Sequence, residues 1–384
     1  MQEQTIRVLL VEDNPDDADL LLEMMRDGVS AHLQLVHAAR LDEALQHLEE
    51  EEFALILLDL GLPDSRGIGT LERVRDLAPD QPAVVLTGLD DSDLAMEAVR
   101  DGAQDYLVKG QVDGRLLSHA MRYAIERNSA RQALRLSSME LERDIRTAQK
   151  IQEALLPRRL PASSEAERVA LWAKCVPARR VGGDLYEFFF RNDTTLTLVM
   201  GDVAGSGVPA ALLMTMVCAL ARTLAMEEDS PAPALKRTSE ALLQVIEPSS
   251  FVTMFMAFYE TRSRALTFAN AGHGPPIIVR PDGTKLLLES TGTVLGMFEE
   301  MEATNESIQL HPGDRLIAYS DGITDAPDPD GKRFGLARLE QMIADAACVD
   351  LQSVVENLLN SVHAHQAGGP QFDDMTVLAF EVKG

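Results

Sequence analysis

The feature that most constrains this chain is a set of short, almost wholly apolar runs, each closed by an acidic, hydroxyl or basic residue. Val8 to Val11, Leu33 to Val36, Ala54 to Leu58, Ala83 to Leu86 and Tyr106 to Val108 are such runs. Between them lie stretches of helical periodicity: Asp16 to Arg26, Leu41 to Glu49, Thr70 to Leu77 and Ser92 to Arg100. A strand that is apolar throughout must be covered on both faces, so the alternation predicts an α/β, doubly wound, parallel five-stranded sheet. In such a sheet the working site lies at the carboxyl ends of the strands. Glu12 and Asp13 follow the first run, Asp59 ends the third, Thr87 ends the fourth and Lys109 follows the fifth. A lone Asp after a strand is ordinarily a cap or a turn former, and Asp16 and Asp64 fit that role. Three carboxylates on one rim would repel one another without a cation. They suit Mg²⁺, while the hydroxyl and the ammonium suit the oxygens of a transferred phosphoryl group.

The motifs Val-Glu12-Asp13, Leu-Leu-Asp59-Leu-Gly-Leu-Pro63, Leu-Thr87-Gly and Tyr106-Leu-Val-Lys109 resemble the response-regulator receiver domain of two-component signalling, which is flavodoxin-like in fold. The resemblance implies that Asp59 accepts a phosphoryl group from a histidine kinase and that Glu12, Asp13 and Asp59 hold Mg²⁺. It further implies that Thr87 and Lys109 contact the phosphoryl group and that Tyr106 reorients on activation. Gly110 departs from the family, which usually places proline after the lysine, and puts the local switch geometry in question.

From Arg122 to Leu156 the chain has no Pro or Gly. Leu134, Leu141, Ala148 and Leu155 recur every seven residues, with Ile145 and Ile151 close to the same face. This predicts a long helix with an imperfect coiled-coil seam, weakened by Ser137, Ser138 and Gln152, through which two copies pair as a homodimer. Pro157 and Pro161 end it. The expected division is a receiver over 1–124, a helical linker over 125–156 and a further domain over 157–384.

In that last part many strands alternate with a few grouped helices, which predicts an α+β sandwich of two sheets flanked by helices. Four acidic motifs punctuate it: Val181-Gly-Gly-Asp184, Gly-Asp202-Val-Ala-Gly-Ser-Gly207, Ser-Asp321-Gly-Ile-Thr-Asp325 and Phe372-Asp373-Asp374. Each of these taken singly reads as a turn. Together they suit an oxygen-ligand cage for two Mn²⁺ or Mg²⁺ ions, and the lack of HExxH or a Cys/His cluster argues against zinc. A carboxylate-bridged pair of such ions activates water for attack on a phosphate ester.

These motifs, with Ala148-Gln-Lys-Ile151-Gln-Glu-Ala-Leu-Leu-Pro157 and Asn270-Ala-Gly-His273-Gly-Pro-Pro276, resemble the PPM family of metal-dependent serine/threonine phosphatases, in its bacterial RsbU/SpoIIE branch. The resemblance implies that Asp202 bridges the metals and that the Val203 carbonyl, Asp184, Asp321 and Asp373 complete the cage. Asp325 would support a further, weaker metal position. Ser206 and Glu187 depart from residues common among relatives, which puts rate or substrate handling in question. His273 reads as a structural turn residue in preference to a general acid.

With 35 Lys+Arg against 61 Asp+Glu, the net charge of −26 is repelled by phosphate backbones and anionic lipid, so neither nucleic acid nor membrane is an expected partner. Three scattered cysteines (Cys175, Cys218 and Cys348) and no signal-like N-terminus point to reduced thiols in the cytoplasm. The apolar stretch Val208 to Met226 contains Arg222 and follows Pro209, so it reads as a core helix. The expected protein is therefore a response regulator whose output is a phosphatase acting on a phosphorylated anti-sigma-factor antagonist. The rival reading is an inactive phosphatase-like adaptor. A DNA-binding regulator is disfavoured by the acidity and by the absence of a basic recognition helix.

Overall fold

The computed structural model describes residues 6–28, 33–88, 92–246, 250–346 and 349–384. The chain forms two compact units, Met1–Glu142 and Arg143–Gly384.

The first unit is built from β1 (Ile6–Val11), α1 (Pro15–Gly28), β2 (Leu33–Ala38), α2 (Leu41–Glu50) and β3 (Leu55–Asp59). A two-residue ribbon follows, β4 (Gly61–Leu62) with β5 (Ser65–Arg66), then α3 (Ile68–Leu77), β6 (Ala83–Thr87), α4 (Ser92–Arg100) and β7 (Asp105–Val108). The sheet order is β2-β1-β3-β6-β7 with every pair parallel. Alternate residues of β3 enter opposite cores: Ile56 and Leu58 pack with α2 and α3, while Leu55 and Leu57 pack with α1 and the start of the next helix. This two-sided burial is why the strand reads as a continuous apolar run. Each such side chain contributes about 1.5–3 kcal/mol on leaving water.

Helix α5 runs unbroken over Gly114–Leu155. It therefore begins eight residues before Arg122, where the sequence reading started it, because the receiver's last helix and the linker are one element. Its early turns pack Leu117, Ala120, Met121 and Ala124 onto the sheet. Further on, Asn128 and Gln132 each donate to the Asp80 carbonyl at 2.8 Å, and Arg135 reaches the Asp80 carboxylate at 3.0 Å. The seam residues Leu134, Leu141 and Ile151 are 73%, 62% and 60% exposed, so none is absorbed by its own chain.

The second unit contains β8 (Val169–Val176), β9 (Leu185–Phe190), β10 (Thr195–Val203), α6 (Val208–Glu227), α7 (Pro231–Leu243), β11 (Val252–Glu260) and β12 (Ala265–Ala271). Then come β13 (Ile277–Val279), β14 (Lys285–Leu287), β15 (Glu306–Gln309), β16 (Arg315–Tyr319), α8 (Asp321–Thr324), α9 (Leu336–Asp345), α10 (Leu351–His365) and β17 (Met375–Val382). Two antiparallel sheets, β15-β12-β11-β10-β9 and β14-β13-β16-β17-β8, pack face to face. Strand β11 shows the logic at period two. Phe255, Ala257 and Tyr259 fill the space between the sheets, while Met254, Met256 and Phe258 face α6 and α7. Met254 and Met256 are thus core filling. The other sheet is covered by α9 and α10.

Helix α6 is the one described helix long and apolar enough to cross a membrane. It lies in the core through Ala210, Met214, Val217, Cys218, Ala221 and Ala225. Its Arg222 pairs with Glu187 at 2.6 Å and stacks 4.4 Å from the Phe189 ring. Glu187, buried on β9, thus serves that ion pair. Cys175 and Cys218 are free thiols that burial pushes up in pKa. Cys348 lies outside the described residues.

Candidate functional site

The ends of β1, β3, β6 and β7 bring the first set of predicted residues together. Ligand atoms of Glu12, Asp13 and Asp59 lie within 4.8 Å of one another. Lys109 Nζ is 2.5 Å from Asp59 Oδ2 and 2.6 Å from Glu12 Oε2. Burial works against the Lys109 ammonium, but its bonds to Asp59 and Glu12 outweigh that and hold its pKa above the ordinary value. Burial, and secondarily the Asp59 charge, raises Glu12 in spite of Lys109. Among the described residues the buried hydroxyl of Thr87 has no hydrogen-bond partner, so it can receive an incoming oxygen. Tyr106 is half-buried on β7. Gly110 takes φ 80°, which a proline ring forbids, so this turn as built could not hold a proline at that position. Asp64 proves to be a cap: its carboxylate accepts the Leu41 and Asp42 amides at 3.0 Å each, at the start of α2.

In the second unit Asp184 precedes β9, Asp202 stands near the end of β10, Asp321 opens α8, and Asp373 precedes β17. What joins these aspartates is mutual influence. Burial raises Asp202 to about 7, with Asp321, Asp373 and Asp374 adding to it. Burial and then the Asp202 charge hold Asp184 well above the carboxylate range. Asp321 is raised by desolvation, then by Asp373 and Asp325. None of the leading influences on Asp202 is a cation. Carboxylates set this close in a partly dry site fit divalent cations as the missing charge, and the all-oxygen donor set suits Mg²⁺ or Mn²⁺.

Backbone geometry shapes the same place. A Cβ on Gly183 would stand 2.8 Å from the Val203 carbonyl oxygen, so only glycine lets these two turns meet. Ser206 is exposed between Gly205 and Gly207, both at positive φ. Asp325 is engaged by Arg333 at 3.0 Å. His273 is buried, its Nδ1 lies 3.0 Å from the Thr253 hydroxyl, and burial lowers its pKa to about 4. Asn270 braces that loop by accepting from the His273 amide and donating to the His273 and Leu288 carbonyls. The neutral, enclosed imidazole accords with the structural reading.

Three residues escaped the sequence reading. Gln152, taken there as a flaw in the helical seam, is buried; its Nε2 donates to the Gly182 carbonyl at 2.6 Å and its Oε1 accepts the Gly182 amide at 3.1 Å. Its signal was a polar side chain on an otherwise apolar stripe. Asp374 was seen only as Asp373's neighbour. Arg179 carried no signal, yet its guanidinium lies beside the Asp202 loop, 3.7 Å from where a side chain at Gly207 would begin.

A parallel sheet with an acidic rim at its strand ends, continued by one helix into a two-sheet sandwich whose buried aspartates act on one another, has the architecture of a response regulator with a PPM-type serine/threonine phosphatase as its output domain. Comparison with known families agrees. Residues 8–121 match the response regulator receiver domain, and residues 192–383 match Stage II sporulation protein E (SpoIIE). Phosphoserine phosphatase RsbU of Bacillus subtilis (strain 168) is 31% identical over 232 residues, covering 60% of this chain and 68% of RsbU. The SiaA-PP2C domain of Pseudomonas aeruginosa superposes with TM-score 0.57 at 25% identity, over 64% of this chain and 98% of that domain. The transcriptional regulatory protein ZraR of Escherichia coli (strain K12) is 31% identical over 109 residues, 28% of this chain and 24% of ZraR. The chain belongs to the SpoIIE family of phosphatases.

Proposed function

We propose that a histidine kinase phosphorylates Asp59 with Mg²⁺ held by Glu12, Asp13 and Asp59, and that this event controls hydrolysis of a phosphoserine or phosphothreonine on an anti-sigma-factor antagonist. The reading of the substrate follows from the family resemblance and from the similarity to RsbU. The observation that carries the regulatory part is Gln152. It lies on α5, the helix that begins inside the receiver, and both its polar atoms bond the Gly182 peptide two residues before Asp184.

In this reading Asp184, Asp202, Asp321, Asp373 and the Val203 carbonyl hold two Mn²⁺ or Mg²⁺ ions, which supply Lewis acidity toward a phosphate ester when bound. The chain's own residues do the rest. Thr376 donates to Asp184 Oδ2 at 2.6 Å and fixes that carboxylate's rotamer. Gly183 admits the Val203 carbonyl to the site. Arg179, exposed beside the glycine loop, meets the substrate's phosphate dianion, where a planar guanidinium pairs oxygens two at a time. His273, held uncharged near neutral pH by burial, is not an imidazolium acid there. The exposed α5 seam pairs with that of a second copy to form a homodimer, and the protein works in the cytoplasm.

The test is the rate of aryl phosphate and phosphorylated-antagonist hydrolysis in Mn²⁺, comparing the unsubstituted chain with Asp202→Asn. An unchanged rate in the variant would remove Asp202 from the bridging role. The adaptor reading is separated by calorimetry, because an adaptor takes up no metal pair in the second domain.

A further inference from the structure

Asp374 is buried immediately before β17 and is bonded almost entirely to backbone. Its Oδ1 accepts the Ala178 amide at 2.8 Å and its Oδ2 accepts the Gly183 amide at 2.7 Å. These are the two ends of the turn that precedes Asp184, a turn that also carries Arg179. The fit is close, since a Cβ on Gly182 would stand 2.1 Å from Asp374 Oδ2. On its other side the main chain of Asp374 receives the Asp321 turn. A Cβ on Gly322 would stand 1.9 Å from the Asp374 carbonyl oxygen, and the Ser320 hydroxyl donates to that oxygen at 3.2 Å. Ser320 is tied back by the Thr376 amide at 2.9 Å. One residue thus touches the segments carrying Asp184 and Asp321 and adjoins Asp373.

We infer that Asp374 is a positioning residue that sets the spacing of three of the four cage aspartates, and with them Arg179, without itself contacting substrate. The inference rests on the reading of those aspartates as metal ligands. The physical case is that a buried carboxylate is costly unless fully bonded. Two short charge-assisted bonds to amides nearly two hundred residues away in sequence make it a clamp between segments that share no ladder. Alanine leaves both amides without an acceptor. Asparagine offers one oxygen for two donors and holds one end of the turn.

The experiment uses the full chain with Asp374→Ala and Asp374→Asn, titrated with Mn²⁺ alone by calorimetry and followed by amide hydrogen exchange in chelator. The expected result is Mn²⁺ binding at the cage weakened at least tenfold in Asp374→Ala and by less in Asp374→Asn. Exchange should be faster in peptides spanning 178–183 and unchanged in the receiver. Excess Mn²⁺ should recover much of the lost aryl phosphatase rate. Wild-type Mn²⁺ affinity with unchanged exchange in either folded variant overturns the inference, and Asp374→Asn decides the matter if the alanine variant does not fold. If the unsubstituted chain itself takes up no Mn²⁺ in this domain, the metal-site reading falls, and the positioning role falls with it.

Discussion

Replacing Gln152 with alanine tests the link between helix and cage, and its size follows from two hydrogen bonds. The side chain donates to the Gly182 carbonyl and accepts from its amide, and both groups lie in a buried contact. Each bond is worth about 1 kcal/mol net, and a buried group left without a partner costs about 1–3 kcal/mol. Partial relaxation of the loop brings the expected total to about 2–3 kcal/mol. At 1.4 kcal/mol per tenfold, the equilibrium constant that holds the Asp184 turn in place falls by roughly thirty- to a hundred-and-fortyfold. The assay is aryl phosphate hydrolysis at limiting Mn²⁺, with melting temperature as the check on folding. Gln149→Ala is the control, because Gln149 lies one turn earlier and, among the described residues, its side chain donates to Glu153 at the surface. The expected result is a large loss for Gln152→Ala, partly recovered by excess Mn²⁺, with Gln149→Ala within twofold of the unsubstituted chain. A Gln152→Ala rate within threefold at every Mn²⁺ concentration, or an equal loss in Gln149→Ala, would refute the reasoning.

Gly183→Ala should keep the fold but force the Val203 carbonyl away from a contact of 2.8 Å, lowering the phosphatase rate at least tenfold; a normal rate would show that the carbonyl is dispensable. His273 has a folded pKa of about 4 against an ordinary value of 6.5. The unfolded chain therefore binds its proton first, so stability is intact above about 6.5 and is lost as pH falls toward 4, by up to about 3 kcal/mol. His273→Asn should flatten the fall of melting temperature between pH 7 and 4.5, and parallel curves for the two proteins would contradict this.

The site was legible where chemistry follows strand ends. Glu12, Asp13, Asp59, Thr87 and Lys109 stand out because each closes an apolar run, and the parallel sheet brings them to one rim. Asp64 was readable as a cap, though not that it caps α2, twenty-three residues back in sequence. The limits came from non-local bonds. Gln152 and Asp374 both act on the Gly182–Gly183 peptides, one from 30 residues away and the other from 191, and no spacing rule reaches so far. β15, with the polar, exposed sequence Glu-Ser-Ile-Gln, went unseen because an edge strand has little burial to impose a pattern. The start of α5 was misplaced because its first turns bury one face in the receiver while its later turns expose their apolar residues, so one helix carries two patterns.

The central claim is that chemistry at Asp59 changes the rate at the aspartate cage. It is tested most directly by the steady-state phosphatase rate of the full chain with and without beryllofluoride, in Mg²⁺ for the receiver and saturating Mn²⁺. Asp59→Asn serves as the reference. The account predicts a change in rate on adding beryllofluoride to the unsubstituted chain, none in Asp59→Asn, and a much reduced change in Gln152→Ala. Identical rates with and without beryllofluoride, in a chain whose receiver demonstrably binds it, would contradict the account.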